Sequence, residues 1–319
     1  MKGFLKWGAI IVGCLVVVII AALVLIPMFV DVAKYKPILE SKVTAATGRP
    51  FSVGDDLSLS LFPWAGVSFS DLRLGNPAGF TEKDFVTVKS FEVRVKLLPL
   101  LSKDVQIKRF VLNEPQIVLV KNKKGLGNWT QPKPAGKDAA EEKAPSTESV
   151  PGGLGIPISA LTAENIAINN GSALWIDHTT DTRKEITDIG LILKDVSLNR
   201  PVKLTFSAQL DQKPLSLEGT VGPVGTGLKE GKIALDLSIK ALKQLVLRLK
   251  GNLENLITNP GVDMDIELAE FSPRMLMSEL GQEFPVATTD PEAISRLALK
   301  AHVKADAKKL SLTNGNMEL

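Results

Sequence analysis

From Phe51 to the end of the chain, apolar side chains recur at every second position, and this period restricts the possible folds more than any other feature. Leu57, Leu59 and Leu61 alternate with Ser58 and Ser60, and Val67 and Phe69 alternate with Ser68 and Ser70. Val86 and Val88, then Phe91, Val93, Val95 and Leu97, then Val105 and Ile107, and a denser run from Gln116 to Val120 continue the series. It resumes at Ile166 and Ile168 and runs in similar segments to Leu310 and Leu312. Successive strand side chains point to opposite faces, so the pattern predicts antiparallel strands with one apolar and one polar face. Phe62-Pro63, Gly75-Asn76-Pro77, Leu98-Pro99, Asn113-Glu114-Pro115 and Gly125-Leu126-Gly127-Asn128 read as the turns between them.

About fifteen such strands share only two helical patches, Asp31–Thr47 and Ser272–Leu280. Helices this scarce cannot cover the apolar side of so large a sheet. Two sheets can cover each other at a separation of about 10 Å, or the strands can close into a barrel. The third solution is a long curved trough, about 70 Å for strands spaced about 4.8 Å apart, whose inner wall is covered by a hydrocarbon ligand. Left bare, an apolar strip well beyond a few hundred Å² is an aggregation hazard. Alternation alone leaves all three open.

Residues Trp7–Val30 carry no charged side chain. At about 1.5 Å per residue the run can cross a hydrocarbon layer of about 30 Å. Trp7, Val12, Leu15, Val18, Ile20, Leu23, Leu25 and Phe29 are the side chains that would face lipid. The run exceeds the ~7–15 residues of a signal-peptide core, and Pro27-Met28-Phe29-Val30-Asp31 is a poor cleavage context. An uncleaved transmembrane anchor over 1–30 is therefore expected. Lys2 and Lys6 favour a cytoplasmic N-terminus, which places the bulk of the chain outside the cytoplasm.

The rest divides into a helix with the first strands (31–130), a connector (131–153) and a second run of strands (154–319) with a short helical insertion near 272–280. In the helix, Asp31 can cap the start, Gly48 and Pro50 stop it, and Pro37 kinks it or delays its beginning. The connector is built from Pro, Lys, Ala, Glu, Ser and Gly and lacks the apolar surface needed to offset ordering. It reads as a mobile linker or loop. The final residues look like the start of another strand, as in the N-terminal part of a longer protein.

With 38 basic against 35 acidic residues, net charge +3, the chain is too balanced to suggest a nucleic-acid surface, and no basic run is interleaved with aromatics. Its single cysteine, Cys14, lies in the anchor, so the exported part holds no internal disulfide. His178, in Asp177-His178-Thr179-Thr180-Asp181, has possible metal ligands around it, but the cluster follows a strand and reads as a polar hairpin turn. His302 reads as a solvent-facing strand residue. Gly222-Pro223-Val224-Gly225-Thr226-Gly227 lacks the lysine of a phosphate loop and reads as a flexible hairpin loop. A Ser or Cys nucleophile needs a positioned base, and no sequence motif suggests one. The expectation is a non-enzymatic protein without cofactor or metal.

Several short stretches occur in a specific order. They are Tyr35-Lys36-Pro37 to Thr47-Gly48-Arg49, Leu59-Ser60-Leu61-Phe62-Pro63-Trp64, Leu74-Gly75-Asn76-Pro77 with Gly79-Phe80, Leu97-Leu98-Pro99-Leu100-Leu101, and Gly125-Leu126-Gly127-Asn128-Trp129. A later region runs from Phe271-Ser272-Pro273-Arg274-Met275-Leu276 through Leu280-Gly281 to Asp290-Pro291. In this order the chain resembles the AsmA family of Gram-negative bacteria. The resemblance implies a single-pass inner-membrane protein with a periplasmic β-rich body, linked to outer-membrane biogenesis and similar to bridge-like lipid-transfer proteins. It favours the trough: a mainly β fold whose largely antiparallel sheet forms a groove.

The implied partners are phospholipid acyl chains, the inner membrane, and outer-membrane or periplasmic proteins. Leu59, Leu61, Val67, Phe69, Val93, Val95, Ile107, Val118 and Val120 are the groove candidates, on the alternation alone; the same positions would equally serve a closed core. The competing function is a scaffold or assembly factor for outer-membrane proteins that carries no lipid.

Overall fold

A computed structural model of the chain describes residues 32–102, 104–130, 162–256, 259–285 and 294–318. The expected anchor (1–30) and connector (131–153) lie outside the described residues. Among the described residues, no helix is long and apolar enough to cross a membrane.

The chain enters through a 3₁₀ turn, Val32–Tyr35, and α1, Lys36–Thr47. Pro37 sits in the first turn of α1, where its missing N–H costs nothing, so the helix begins late and Tyr35, not Asp31, is its N-cap. Gly48 closes it at φ 66°, its N–H donating to the Thr44 carbonyl.

The strands are β1 (Phe51–Ser52), β2 (Ser58–Ser60), β3 (Ala65–Gly75), β4 (Asp84–Val95), β5 (Gln106–Lys121), β6 (Thr162–Asp177), β7 (Thr182–Val196), β8 (Val202–Leu210), β9 (Lys213–Val221), β10 (Lys232–Ala241), β11 (Leu245–Glu254), β12 (Gly261–Phe271), β13 (Leu297–Ala305) and β14 (Leu310–Glu318). Short helices intervene: α2 (Leu97–Leu101), α3 (Val224–Glu230) and α4 (Pro273–Glu279), the last capped by the Ser272 hydroxyl. The Gly222–Gly227 stretch is thus no loose loop, for its second half opens α3. A Cβ on Gly225 would sit 2.8 Å from Leu198, and one on Gly227 would strike the Lys232 carbonyl, so the glycines permit close packing.

All 14 strands among the described residues belong to one long, curved, open sheet. β1 and β2 share the free side of β3 at one edge, β14 forms the other, and strand order follows the chain between them. This excludes the two-sheet sandwich and the closed barrel among the described residues. Pairing is antiparallel throughout except between β5 and β6, which are parallel. A parallel pair needs a connection that returns along the strands. Gly75 and Lys121 lie at one end of the strands, the upper end, and Ala65 and Gln106 at the other, the lower end.

β5 and β6 have 16 residues each, yet strict alternation does not run through them. Asp71, Glu114, Asn170, Asp188 and Asp195 lie inside strands with φ between 48° and 55°. Each follows the same local pattern, an apolar residue two before it and another directly after: Phe69 and Leu72, Leu112 and Pro115, Ile168 and Gly171, Ile186 and Ile189, Leu193 and Val196. One left-handed residue turns the next side chain back to the face just left. At Gly171 this can be seen directly: a Cβ there would meet Ile168, Ile189 and Pro115 on a common side. Asn113-Glu114-Pro115 is therefore not a turn, because β5 passes through it and keeps its apolar face. After glycine, Asp and Asn tolerate this region best.

Four of these residues fall near one line across β3, β5, β6 and β7. Along it Asn169 donates to Asn113 at 2.8 Å and Asn113 to Ser90 at 2.8 Å. Such irregularities bend a strand locally, so a line of them creases the sheet.

At the upper end, three motif pieces named above meet in one polar knot. Asn128 is fully buried. Its Oδ1 accepts from the Val120 amide at 2.9 Å, and its Nδ2 donates to the Val118 carbonyl and to Asn76 Oδ1, each at 2.7 Å. The Asn128 carbonyl accepts from Arg49 Nη2 at 2.6 Å, and the Arg49 guanidinium lies 4.4 Å from the Phe85 ring centre. Burial lowers the pKa of that guanidinium. The Gly75 amide donates to the Pro50 carbonyl at 2.7 Å, fastening the end of α1 beside β3.

Asn128→Ala leaves the Val120 amide and Val118 carbonyl without partners and should destabilise the chain by about 2–4 kcal/mol in denaturant unfolding. Asn170→Gly should be neutral or stabilising, whereas Asn170→Val should cost about 1–2 kcal/mol, because a β-branched side chain clashes in the left-handed region.

Candidate functional site

Cross-strand partners share a face, so the registers can be followed from edge to edge. One row runs Leu59, Val67, Val93, Phe110, Ile166, Leu193 and Leu204 from β2 to β8. It continues through Gly219, Leu237, Leu249 and Ile266 to Ala301 on β13. The next row runs Phe69, Phe91, Leu112, Ile168, Leu191 and Phe206 from β3 to β8. It continues through Leu217, Ile239, Leu247, Leu268 and Leu299 to Met317 on β14. Neither row contains a polar side chain. At about 4.8 Å per strand each is roughly 50 Å long.

Near β3 the face is paved with aromatics. Phe69 stacks on Phe91 at 4.8 Å, and Phe91 meets Phe110 edge-on at 5.3 Å. Nearly all members of both rows are half-buried: neighbours on the sheet shelter them, but they are not sealed like a core. Toward β14 the face opens further, with Leu299 and Met317 exposed.

The other face is polar and laced with ion pairs between strands. Arg248 and Lys300 both reach Glu267 at 3.3 Å, Lys304 reaches Asp263 at 2.6 Å, and Lys232 reaches Glu254 at 3.2 Å. His302 lies between Asp263 at 3.2 Å and Asp265 at 2.9 Å on this face. Exposed pairs contribute little stability each. Their consequence is orientation: they commit this face to water and leave the apolar face to be covered by something else.

Among the sequence-derived candidates, Leu59, Val67, Phe69 and Val93 stand in the two rows. Val95 pairs with Ile107 on the same face, in a shorter third row with Ala65 and Ala163. The bulge after Arg94 lets β5 absorb one extra residue there. Leu61 falls outside β2, in the turn to β3, and no ladder holds it.

Val118 and Val120 are corrections. Beyond left-handed Glu114 the apolar face is carried by Pro115, Ile117 and Leu119, which puts these two valines on the opposite side. Val120 is fully buried beside a cavity walled by Phe80, Leu126 and His178, a small core under the upper loops. Phe110, Leu112, Leu191 and Phe206 also stand in the rows, although the groove candidates did not include them.

Asp177 folds the β6–β7 turn: its carboxylate accepts from the Thr179 amide at 2.8 Å and from the Thr179 hydroxyl at 2.5 Å. His178 contacts Glu82 at 3.1 Å. Among the described residues no group of His, Cys, Asp and Glu could hold a metal ion.

The motif pieces in the upper knot and the strand order together point to a known architecture, and comparison with known proteins agrees. A model of the AsmA family matches residues 1–233. The chain belongs to the AsmA family. It is also 31% identical over 137 residues to the AsmA family protein YhjG of Escherichia coli (strain K12), a stretch covering 39% of this chain and 20% of that protein. The chain thus spans about a fifth of the length of this relative. The family match ends just inside β10, yet both apolar rows run on unbroken through the strands that follow.

The Thr179 hydrogen bond, helped by Lys121, lowers the Asp177 pKa from 3.8 to about 2. A depressed carboxylate stabilises the fold above its ordinary pKa, and the contribution is lost as pH falls through about 2. Asp177→Asn should therefore lower the thermal midpoint at neutral pH, with the difference from the unaltered chain closing as pH approaches 2.

Proposed function

We propose that this AsmA-family chain is a non-enzymatic lipid conduit of the cell envelope. Residues 1–30 anchor it once in the bacterial inner membrane with a cytoplasmic N-terminus. The sheet lies in the periplasm, and its apolar face forms a groove that holds phospholipid acyl chains passing between inner and outer membranes, in support of outer-membrane biogenesis. Headgroups stay in water along the rims.

The observation that carries this reading is the pair of uninterrupted apolar rows, open from β2 to β14 with no second sheet against them among the described residues. Protein does not usually leave so long an apolar strip to water. An acyl chain suits it because the strip is continuous and one-dimensional. At about 0.8 kcal/mol per CH₂, sheltering one long chain from water is worth on the order of 10 kcal/mol. Moving along the rows replaces one such contact by another, so the groove lowers the barrier to transfer without chemistry.

A photo-crosslinking amino acid placed in the full chain in cells tests this reading. At Phe206, on the apolar face, it should capture phospholipid, identified by mass; at Thr205, on the polar face of the same strand, it should not. Capture of polypeptide alone at Phe206 would favour the scaffold role and end the conduit reading. Phe206→Asp should abolish lipid capture from a crosslinker at Leu204, with the strand content of the chain retained.

A further inference from the structure

The lower end of the first strands carries apolar side chains that the described chain does not cover. Phe62, in the β2–β3 turn, is 39% exposed, and Leu98 and Leu100, in α2, are 80% and 40% exposed. The two segments are neighbours because β3 and β4 pair there through Ala65 and Val95. Beside them is a cavity of about 680 Å³ whose wall includes Trp64, Arg94, Lys96, Lys108, Lys194 and Arg200. Lys108 Nζ lies 5.2 Å from the Trp64 ring centre, tying the apolar turn to the basic wall.

Among the described residues, carboxylates answer only part of this charge. Glu164 is shared by Lys96 and Lys108, Glu92 by Arg94 and Arg109, and Asp195 lines the cavity. Cations outnumber carboxylates, so the wall keeps a positive excess beside an apolar tip.

The direction of α1 points the same way. Its first residue, Lys36, reaches Asp55 at 2.6 Å, and Asp56 holds the amide and hydroxyl of Ser70 at 2.9 and 2.7 Å, halfway along β3. Its last turn is fastened at the upper end through Pro50 and Gly75. The helix therefore lies beside the upper half of β3, and its start faces the lower end. There Tyr35 and Ile38 are 57% and 51% exposed. The uncharged run Trp7–Val30 precedes that start in the sequence.

We propose that the lower end of β2 to β5 is a docking surface for an anionic phospholipid bilayer. Phe62, Leu98 and Leu100 enter the headgroup region, and the basic wall beside them meets lipid phosphates. Apolar insertion and attraction of lysine and arginine to anionic lipid reinforce each other in such contacts. The cores of protein interfaces are depleted in lysine, so this mixture fits a lipid surface better than a protein partner. Docking by these loops does not require the apolar face to carry lipid, and so it stands apart from the conduit reading. If both hold, docking brings the β3 end of the groove against the acyl chains it would load.

The test uses the full chain with Cys14→Ser and Leu98→Cys, labelled with an environment-sensitive fluorophore and held singly in nanodiscs containing nitroxide-labelled lipid. Discs of phosphatidylcholine are compared with discs of phosphatidylcholine and phosphatidylglycerol. The label should be quenched more strongly with phosphatidylglycerol, and salt should reverse the gain. Adding Lys194→Glu and Arg200→Glu should reduce the docked-to-undocked ratio by about thirtyfold or more. A label at Thr205→Cys, on the polar face, should remain unquenched in both discs. No quenching at position 98 overturns the proposal. So does quenching indifferent to phosphatidylglycerol and to charge reversal, or a signal that appears only with several chains per disc, which would mark a contact between copies.

Discussion

A sheet presents two faces, and in this chain each strand makes the same choice between them. The polar face spends its charges on ion pairs across strands such as Arg248 and Lys300 with Glu267. The other holds Phe, Leu, Ile and Val in register from one edge to the other. Everything else follows from that asymmetry and from the absence, among the described residues, of a second sheet to cover it. The short helices described lie at strand ends or beside the first edge, where they cannot form a lid. The continuity of this open surface is the feature on which the proposed lipid role rests.

Keeping the asymmetry over strands of 16 residues requires a device that a regular strand lacks. Long strands in a curved sheet must bend, and bending by inserting or turning a residue would normally send every following side chain to the wrong face. The left-handed Asp, Asn and Glu residues bend the strand and correct the alternation in one step. Their alignment across β3, β5, β6 and β7 turns a set of local irregularities into a shared crease. The polar knot around Asn128 serves a related need. It closes the upper ends of the first strands and fixes α1 there, using buried hydrogen bonds where an open sheet has few side chains to pack.

Some of these features are legible in the amino-acid order and others are not. The fate of Val120 shows why. Within Gln116–Val120 every residue after the glutamine is apolar, so either set of alternate residues fits an apolar face, and the choice depends on Glu114 adopting a backbone conformation that glutamate seldom takes. The pattern of an apolar residue two before and one after an Asp or Asn could have revealed this, since it repeats at Asp71, Asn170, Asp188 and Asp195. Asn128 is a different case. Its side chain completes hydrogen bonds of strand residues that precede it, a role that spacing along the chain does not encode.

The amino-acid order alone determined that the chain makes many two-faced strands, that helices are too few to cover them, and that an uncharged run precedes them. These are local properties: side-chain direction follows from the strand period and hydrophobicity from composition. Only tertiary structure decided that all the strands join one open sheet, that β5 and β6 run parallel, and which face each valine takes beyond a left-handed residue. Those outcomes depend on pairing between residues far apart in the chain, where many registers satisfy the same alternation and only the assembled sheet selects one.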